Sequence, residues 1–270
     1  MRTVTFLGIE SEPQIEAVRV GDITLERGKP VFVLARQLPG SLGRFGTEGI
    51  DVHETTVCEM KGCDVEYTDE FAEMNVTAII PNYKAPDLIE DAVTSLKRHY
   101  PDLLLIVVDD GSDTETAEYV RQLQYRFSRT ISLLLPDNIG HGAALHRAIS
   151  QVFTKRVFTM DSDVIVDRGG FLELMESRMV ERGLYGTGMM YWRDHKRESP
   201  YLTCVAAMYD LAMYRSLPPF VHEGDPMARN MDAAHKAGYK VEPFPMMRYI
   251  THLECGTRRR FGYRWDMTGG

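Results

Sequence analysis

Val107-Val108-Asp109-Asp110-Gly111-Ser112-Asp113 grows out of the apolar run Leu103–Val108, and a second acidic triplet, Asp161-Ser162-Asp163, follows the apolar run Val157–Met160. In a parallel α/β sheet, residues just past the carboxyl ends of strands meet in one crevice, where ligands bind. Carboxylates that converge there one residue apart suit a hard divalent cation and a phosphate-bearing ligand. Asp, Gly and Ser are also ordinary turn and helix-cap residues, so one such cluster is a weak signal. Two, each at a strand end, are a stronger one.

Working outward from these clusters, the periodicity from Asn75 onward is that of alternating strands and helices. Apolar runs recur at Val76–Ile80, Leu103–Val108, Ile131–Leu135 and Val157–Met160, about 25 to 28 residues apart. Helical patterns lie between them at Asp87–His99, Asp113–Phe127 and Gly140–Phe153. This spacing predicts βαβ units and a mostly parallel sheet flanked by helices. Four strand ends then gather on one edge: Pro81-Asn82-Tyr83, Asp109-Asp110, Pro136-Asp137-Asn138 and Asp161-Ser162-Asp163. Past Gly170 the regularity fades, which predicts mixed connections.

Residues 1–72 read differently. Thr3–Gly8, Ile15–Val20 and Val31–Ala35 are short runs rich in β-branched residues, split by Gly and Pro turns. They predict a small β-rich accessory module packed beside a larger domain at 73–270, and offer a route to a homo-oligomer or a partner. Net charge is −8, and residues 1–74 hold 7 basic against 14 acidic side chains. Neither part has the basic balance of a nonspecific nucleic-acid binder. Arg258-Arg259-Arg260 with Arg264 is the one cationic cluster, readable as a solvated tail or as a diphosphate partner. Four cysteines, Cys58, Cys63, Cys204 and Cys255, make no disulfide scaffold, and Cys58 and Cys63 read as a hairpin with only His53 nearby as a further metal ligand. No apolar run is long enough to span a bilayer and no signal-peptide core is present, so the expected compartment is the cytoplasm.

Four segments, AIIPNYKAPDLIEDAVTSL (78–96), LLIVVDDGSDTETAEYV (104–120), LPDNIGHGAALHRAI (135–149) and VFTMDSDVIV (157–166), resemble in order and spacing an inverting family 2 glycosyltransferase with the GT-A fold, a Rossmann-like α/β architecture. The resemblance covers roughly 75–255 and leaves the N-terminal module unassigned. It implies that Pro81, Asn82 and Tyr83 form the base-binding first loop, that Asp110, with Asp109 beside it, contacts the nucleotide base, and that Asn138 and Gly140 close on the nucleoside. Asp161, Ser162 and Asp163 then match the DxD motif, with Asp163 on a Mn2+ or Mg2+ ion and Asp161 on the ribose or on the metal through water. His252, in YITHLECGTRRR (249–260), falls where some members place a late histidine near the metal.

The chemistry agrees with this assignment. A nucleotide-sugar donor loses a diphosphate, and a divalent cation across both phosphates stabilises the charge that builds on the leaving oxygen. Backbone N–H groups at Gly140-His141-Gly142 suit an anion, although the same residues also make an ordinary glycine-rich helix start. Inversion requires a general base on the acceptor hydroxyl. HEGDPMARNMDAAHKAGYKVEPFP (222–245) occupies the place of the family's acidic pair, with Gly224 splitting the usual adjacent residues. Asp225 is favoured as the base over Glu223, and both could instead cap the following helix. The expected reaction moves a sugar, from a UDP-sugar by preference, to a glycan or other hydroxyl acceptor. Trp192 and Trp265 suit either sugar stacking or core packing. Two other readings stay open: a haloacid-dehalogenase-type phosphatase, locally compatible with MDSDVIV, and a non-catalytic sugar- or nucleotide-binding interaction protein.

Overall fold

The structure, a computed structural model, describes residues 75–191, 200–221 and 226–253 in full, together with the backbone of five earlier strands. Those are β1 (Arg2–Ile9), β2 (Ala17–Val20), β3 (Ile23–Glu26), β4 (Pro30–Val33) and β5 (Cys63–Thr68). β1 pairs antiparallel with both β4 and β5, and β2 pairs antiparallel with β3. None of the five is hydrogen-bonded into the large sheet that follows. Cys63 opens β5, whereas Cys58 and His53 lie outside the described residues.

The large sheet begins with β6 (Val76–Asn82), α1 (Pro86–His99), β7 (Leu104–Asp109), α2 (Thr114–Arg126), β8 (Thr130–Leu134), α3 (His141–Ile149) and β9 (Arg156–Met160). After it come β10 (Val164–Val166), α4 (Phe171–Arg182), β11 (Leu184–Tyr191), β12 (Tyr201–Asp210), α5 (Leu211–Arg215), α6 (Ala228–Lys236), β13 (Lys240–Pro243) and β14 (Ile250–His252). Seven strands form one sheet in the order β13-β11-β12-β9-β6-β7-β8, and β10 pairs with β14 beside it. β6, β7, β8 and β9 run parallel; β12 lies antiparallel between β9 and β11. The expected parallel half is therefore present, and the fading regularity after Gly170 corresponds to this reversal of direction.

Every residue of β7 is buried. Leu104, Ile106 and Val108 join one core with α3, while Leu105 and Val107 join the other with α1, α2 and α4. Successive side chains point to opposite faces, and helices cover both, which is why the strand reads as an unbroken apolar run. Each fully buried Leu, Ile or Val stabilises by about 1.5–3 kcal/mol relative to exposure. α2 starts where its sequence directs: Asp113 is the N-cap, its carboxylate accepting from Thr116 N at 3.0 Å.

α3 ends at Ile149 and not at Phe153. Gln151 N and Val152 N donate to Ala148 O and Ile149 O, tightening the last turn, and Val152 is buried while Phe153 is exposed. Thr154 Oγ1 then bonds Thr77 Oγ1 and Arg156 O, both at 2.8 Å, turning the chain back into β9. Side-chain anchoring there overrides the helical periodicity that continues in the sequence.

Candidate active site

The strand ends are tied to one another before any ligand is considered. Asn82 sits opposite Asp109 in the parallel register of β6 and β7, and Asp110 N donates to Asn82 O at 2.8 Å. The Asp109 carboxylate accepts from Asn82 Nδ2 at 2.7 Å, Ser112 Oγ at 2.7 Å and Ser112 N at 3.0 Å. Ser112 Oγ in turn accepts from the backbone N of Lys84, whose φ of +50° bends the chain after Tyr83. Asp109 is thus occupied in stitching the first loop to the second. Asn82 Oδ1 is buried without a hydrogen-bond partner, an acceptor held ready beside the half-buried Tyr83. Pro81 is buried in the strand, paired with Val108.

Asp110 organises the third strand end. Its carboxylate accepts from Ile139 N at 2.8 Å and Gly140 N at 3.0 Å, and Gly140 N also reaches Asn138 Oδ1 at 3.1 Å. Burial pushes the Asp110 carboxyl above the usual carboxylate range, only partly opposed by these two N–H groups and nearby His141. A carboxylate has about four lone-pair positions, so Asp110 retains acceptor capacity. Gly111 makes the approach possible: its φ is +67°, and a Cβ there would stand 2.2 Å from the Asp137 carbonyl carbon. Asn138 is exposed and Gly140, at φ +90°, precedes α3.

The fourth strand end carries Asp161, Ser162 and Asp163, of which Ser162 and Asp163 are buried. Antiparallel pairing of β10 with β14 sets Val164 opposite His252. That register brings His252 Nε2 to 3.3 Å from Asp163 Oδ1, and Leu253 N donates to Asp163 O at 2.9 Å. Ligand atoms of Asp161, Asp163 and His252 all lie within 4.8 Å of one another. Asp161 Oδ1 is buried and has no hydrogen bond. Two carboxylates and an imidazole, with one oxygen unsatisfied, fit a hard or borderline divalent cation.

Sequence reading did not assign side chains to two further neighbours. His141 Nε2 stands 3.4 Å from Asp161 Oδ1, and the Cys204 thiol donates toward Asp161 Oδ2 at 3.8 Å. Burial works against a charged His141, but the adjacent Cys204 and Asp161 outweigh it and raise the imidazole well above its ordinary range. In the sequence His141 stood out only for its backbone and Cys204 only as one of four thiols. Their meeting depends on β12 pairing with β9, Ala206 against Met160, with Asp161 N donating to Val205 O at 3.1 Å.

Glu223 and Asp225 lie outside the described residues, as do Trp192, Trp265 and the Arg258–Arg260 and Arg264 cluster. Their flanks are described. Val221 N donates to Pro226 O at 3.1 Å, and Gly142 in the first turn of α3 packs on Val221, where a Cβ would overlap the carbonyl oxygen at 1.5 Å. Val221 and Pro226, the described residues on either side of 222–225, thus both lie against Gly142 at the start of α3, one residue from His141. Past them, Tyr185 Oη donates to Asn230 Oδ1 at 2.5 Å and Asn230 Nδ2 to Pro218 O at 2.8 Å, fixing α6 to the sheet.

The sequence profile described as Glycosyl transferase family 2 matches residues 77–224. The putative teichuronic acid biosynthesis glycosyltransferase TuaG of Bacillus subtilis (strain 168) is 34% identical over 89 residues, 33% of this chain and 35% of that protein. A poly-beta-1,6-N-acetyl-D-glucosamine synthase of Staphylococcus epidermidis is 27% identical over 142 residues, 51% of this chain and 32% of that protein. The matched regions take up about a third of each relative's length. Among solved structures, a mannosyltransferase from Pyrobaculum calidifontis in complex with GDP-Man and Mn2+ aligns with a TM-score of 0.52 at 19% identity, covering 63% of this chain and 55% of that one. S. aureus TarS 1-349 in complex with UDP-GlcNAc aligns with a TM-score of 0.51 at 17% identity, covering 66% and 58%. At that identity these two alignments speak for the fold, which is of the GT-A type.

Proposed function

The chain belongs to glycosyl transferase family 2, and we propose that it moves a sugar from a nucleoside diphosphate sugar to an acceptor hydroxyl with inversion and with the help of a divalent cation. The observation that carries this reading is the convergence of Asp161, Asp163 and His252 within 4.8 Å, at the same sheet edge as the Asn82–Asp109–Asp110 loop system. Asp163 and His252 would hold Mn2+ or Mg2+, with Asp161 toward the ribose or reaching the metal through water. When bound, the cation supplies Lewis-acid stabilisation of the departing diphosphate. The orphaned Asn82 Oδ1 suits an N–H of a nucleobase, and the Asp110-tethered 138–140 loop suits closure over the nucleoside. The proposed donor is a UDP-sugar, the nucleotide of the TarS complex.

Asp225 is the proposed general base, with Glu223 as the alternative; the flanking Val221 and Pro226 lie against Gly142, one residue from His141 and so close to Asp161. Asp225→Asn keeps size and polarity but cannot take a proton, so kcat should fall by about 10²-fold or more with donor affinity nearly unchanged. If Glu223→Gln shows that phenotype instead, the base moves two residues. Calorimetry with UDP, with and without Mn2+, tests the reading as a whole: metal-dependent binding is expected, and metal-independent absence of binding would overturn it. Residues 1–72 are proposed to be an accessory module, so a chain beginning near Glu73 should retain UDP binding. A folded truncation blind to UDP would place the module in the donor site.

A further inference from the structure

We propose that His141, Asp161 and Cys204 form a second cation site, softer than the one assigned to Asp161, Asp163 and His252, and that it takes Zn2+. The three residues come from the first position of α3, the end of β9 and the body of β12, and their ligand atoms lie within 4.8 Å of one another. The His141–Asp161 and Cys204–Asp161 separations are 3.4 and 3.8 Å. Adjacent ligand atoms of a tetrahedral zinc centre with ordinary Zn–N, Zn–O and Zn–S lengths stand about 3.4–3.6 Å apart. His141 faces Asp161 Oδ1 and Cys204 faces Asp161 Oδ2, so a small rotation of the Asp161 carboxylate is enough to offer one oxygen as the third vertex, and the fourth is left to water. His141 Nε2 and Asp161 Oδ1 are both buried without hydrogen-bond partners. They face each other at 3.4 Å, and a cation that takes the place of the His141 proton would satisfy both atoms at once.

Donor chemistry separates the two sites. Thiolate with imidazole selects zinc, whereas carboxylate-dominated sites suit Mg2+ and Mn2+. The thiol proton and the His141 Nε2 proton both leave to solvent on binding, since thiolate and neutral imidazole are the ligands. Asp161 is common to both groups, so Zn2+ at the soft site withdraws it from the hard one. That competition rests on the reading of Asp161, Asp163 and His252 given above; zinc binding itself does not.

Co2+ is the spectroscopic stand-in for Zn2+, titrated into the full chain after chelator dialysis, with far-ultraviolet circular dichroism checking the fold of each variant. A thiolate-to-cobalt charge-transfer band saturating at one equivalent and displaced by Zn2+ is expected. It should vanish in Cys204→Ser, require at least about tenfold more Co2+ in His141→Ala, and persist in Asp163→Ala. The triple variant Cys58→Ser, Cys63→Ser, Cys255→Ser leaves Cys204 as the only thiol and should keep the band, which maintains the test should Cys204→Ser fail to fold. A band that survives Cys204→Ser, or one missing from the triple variant, overturns the proposal. Failure of the transferase reading would register separately, as absent Mn2+-dependent UDP binding with the cobalt band intact.

Discussion

The acidic pair that ends β7 and the acidic pair that follows β9 look alike as sequence, flank the same strand β6, and do different things. Asp109 and Asp110 accept from Asn82 Nδ2, Ser112 Oγ, Ser112 N, Ile139 N and Gly140 N, so their oxygens are engaged by the protein itself. Asp161 keeps Oδ1 buried without a hydrogen bond, and Asp163 stands 3.3 Å from an imidazole. A carboxylate engaged by backbone N–H groups builds a loop; one set among imidazole and thiol groups is placed to take a cation or a ligand proton. The role of an acidic cluster is thus read from what already occupies its lone pairs.

The largest expected effect is on the Asp161–Asp163 pair. Asp163→Ala should reduce metal-dependent UDP binding and turnover by at least about 10²-fold with the fold retained by circular dichroism, because it removes a proposed metal ligand. Asp161→Ala should be similarly damaging, mainly through weaker nucleotide affinity measured by calorimetry. A variant at either position that is destabilised yet binds UDP normally would erase the contrast.

The engaged pair should respond in stability first. Asp109→Ala leaves the buried Asn82 amide without its acceptor and cuts two bonds to Ser112, a loss of about 2–3 kcal/mol in denaturant unfolding. Gly111→Ala should move stability the same way, since its φ of +67° and the nearby Asp137 backbone leave no room for a methyl group. Full stability in Asp109→Ala with abolished metal-dependent binding would assign both pairs the same role.

A carboxylate remote from the crevice, Glu90, sets the scale. Arg126 forks onto Glu90 at 2.6 and 2.8 Å, Tyr119 Oη donates to it at 2.6 Å, and chiefly the Arg126 bond holds its carboxyl below the usual range. Because the folded pKa is depressed, this contribution is present above the ordinary glutamate value and is lost as pH falls through the folded one. The pair is partly solvated, so Glu90→Gln should cost about 0.5 kcal/mol at neutral pH, and the difference from wild type should shrink in acid. A difference that grows in acid would contradict the sign.

Sequence alone determined the repeating strand–helix order from Val76 to Met160, because parallel strands covered on both faces must be apolar throughout and their helices must carry periodic stripes. It also placed the four polar strand ends on one edge, and the start of the second helical pattern at Asp113. What it did not determine is which groups face which carboxylate. That required register: Asn82 against Asp109, Val164 against His252, and Ala206 against Met160. The last pairing lies between strands nearly fifty residues apart and of opposite direction, where no local pattern encodes the partner. Side-chain neighbours such as His141, Asp161 and Cys204 are products of that long-range pairing, and only the tertiary structure brings them together.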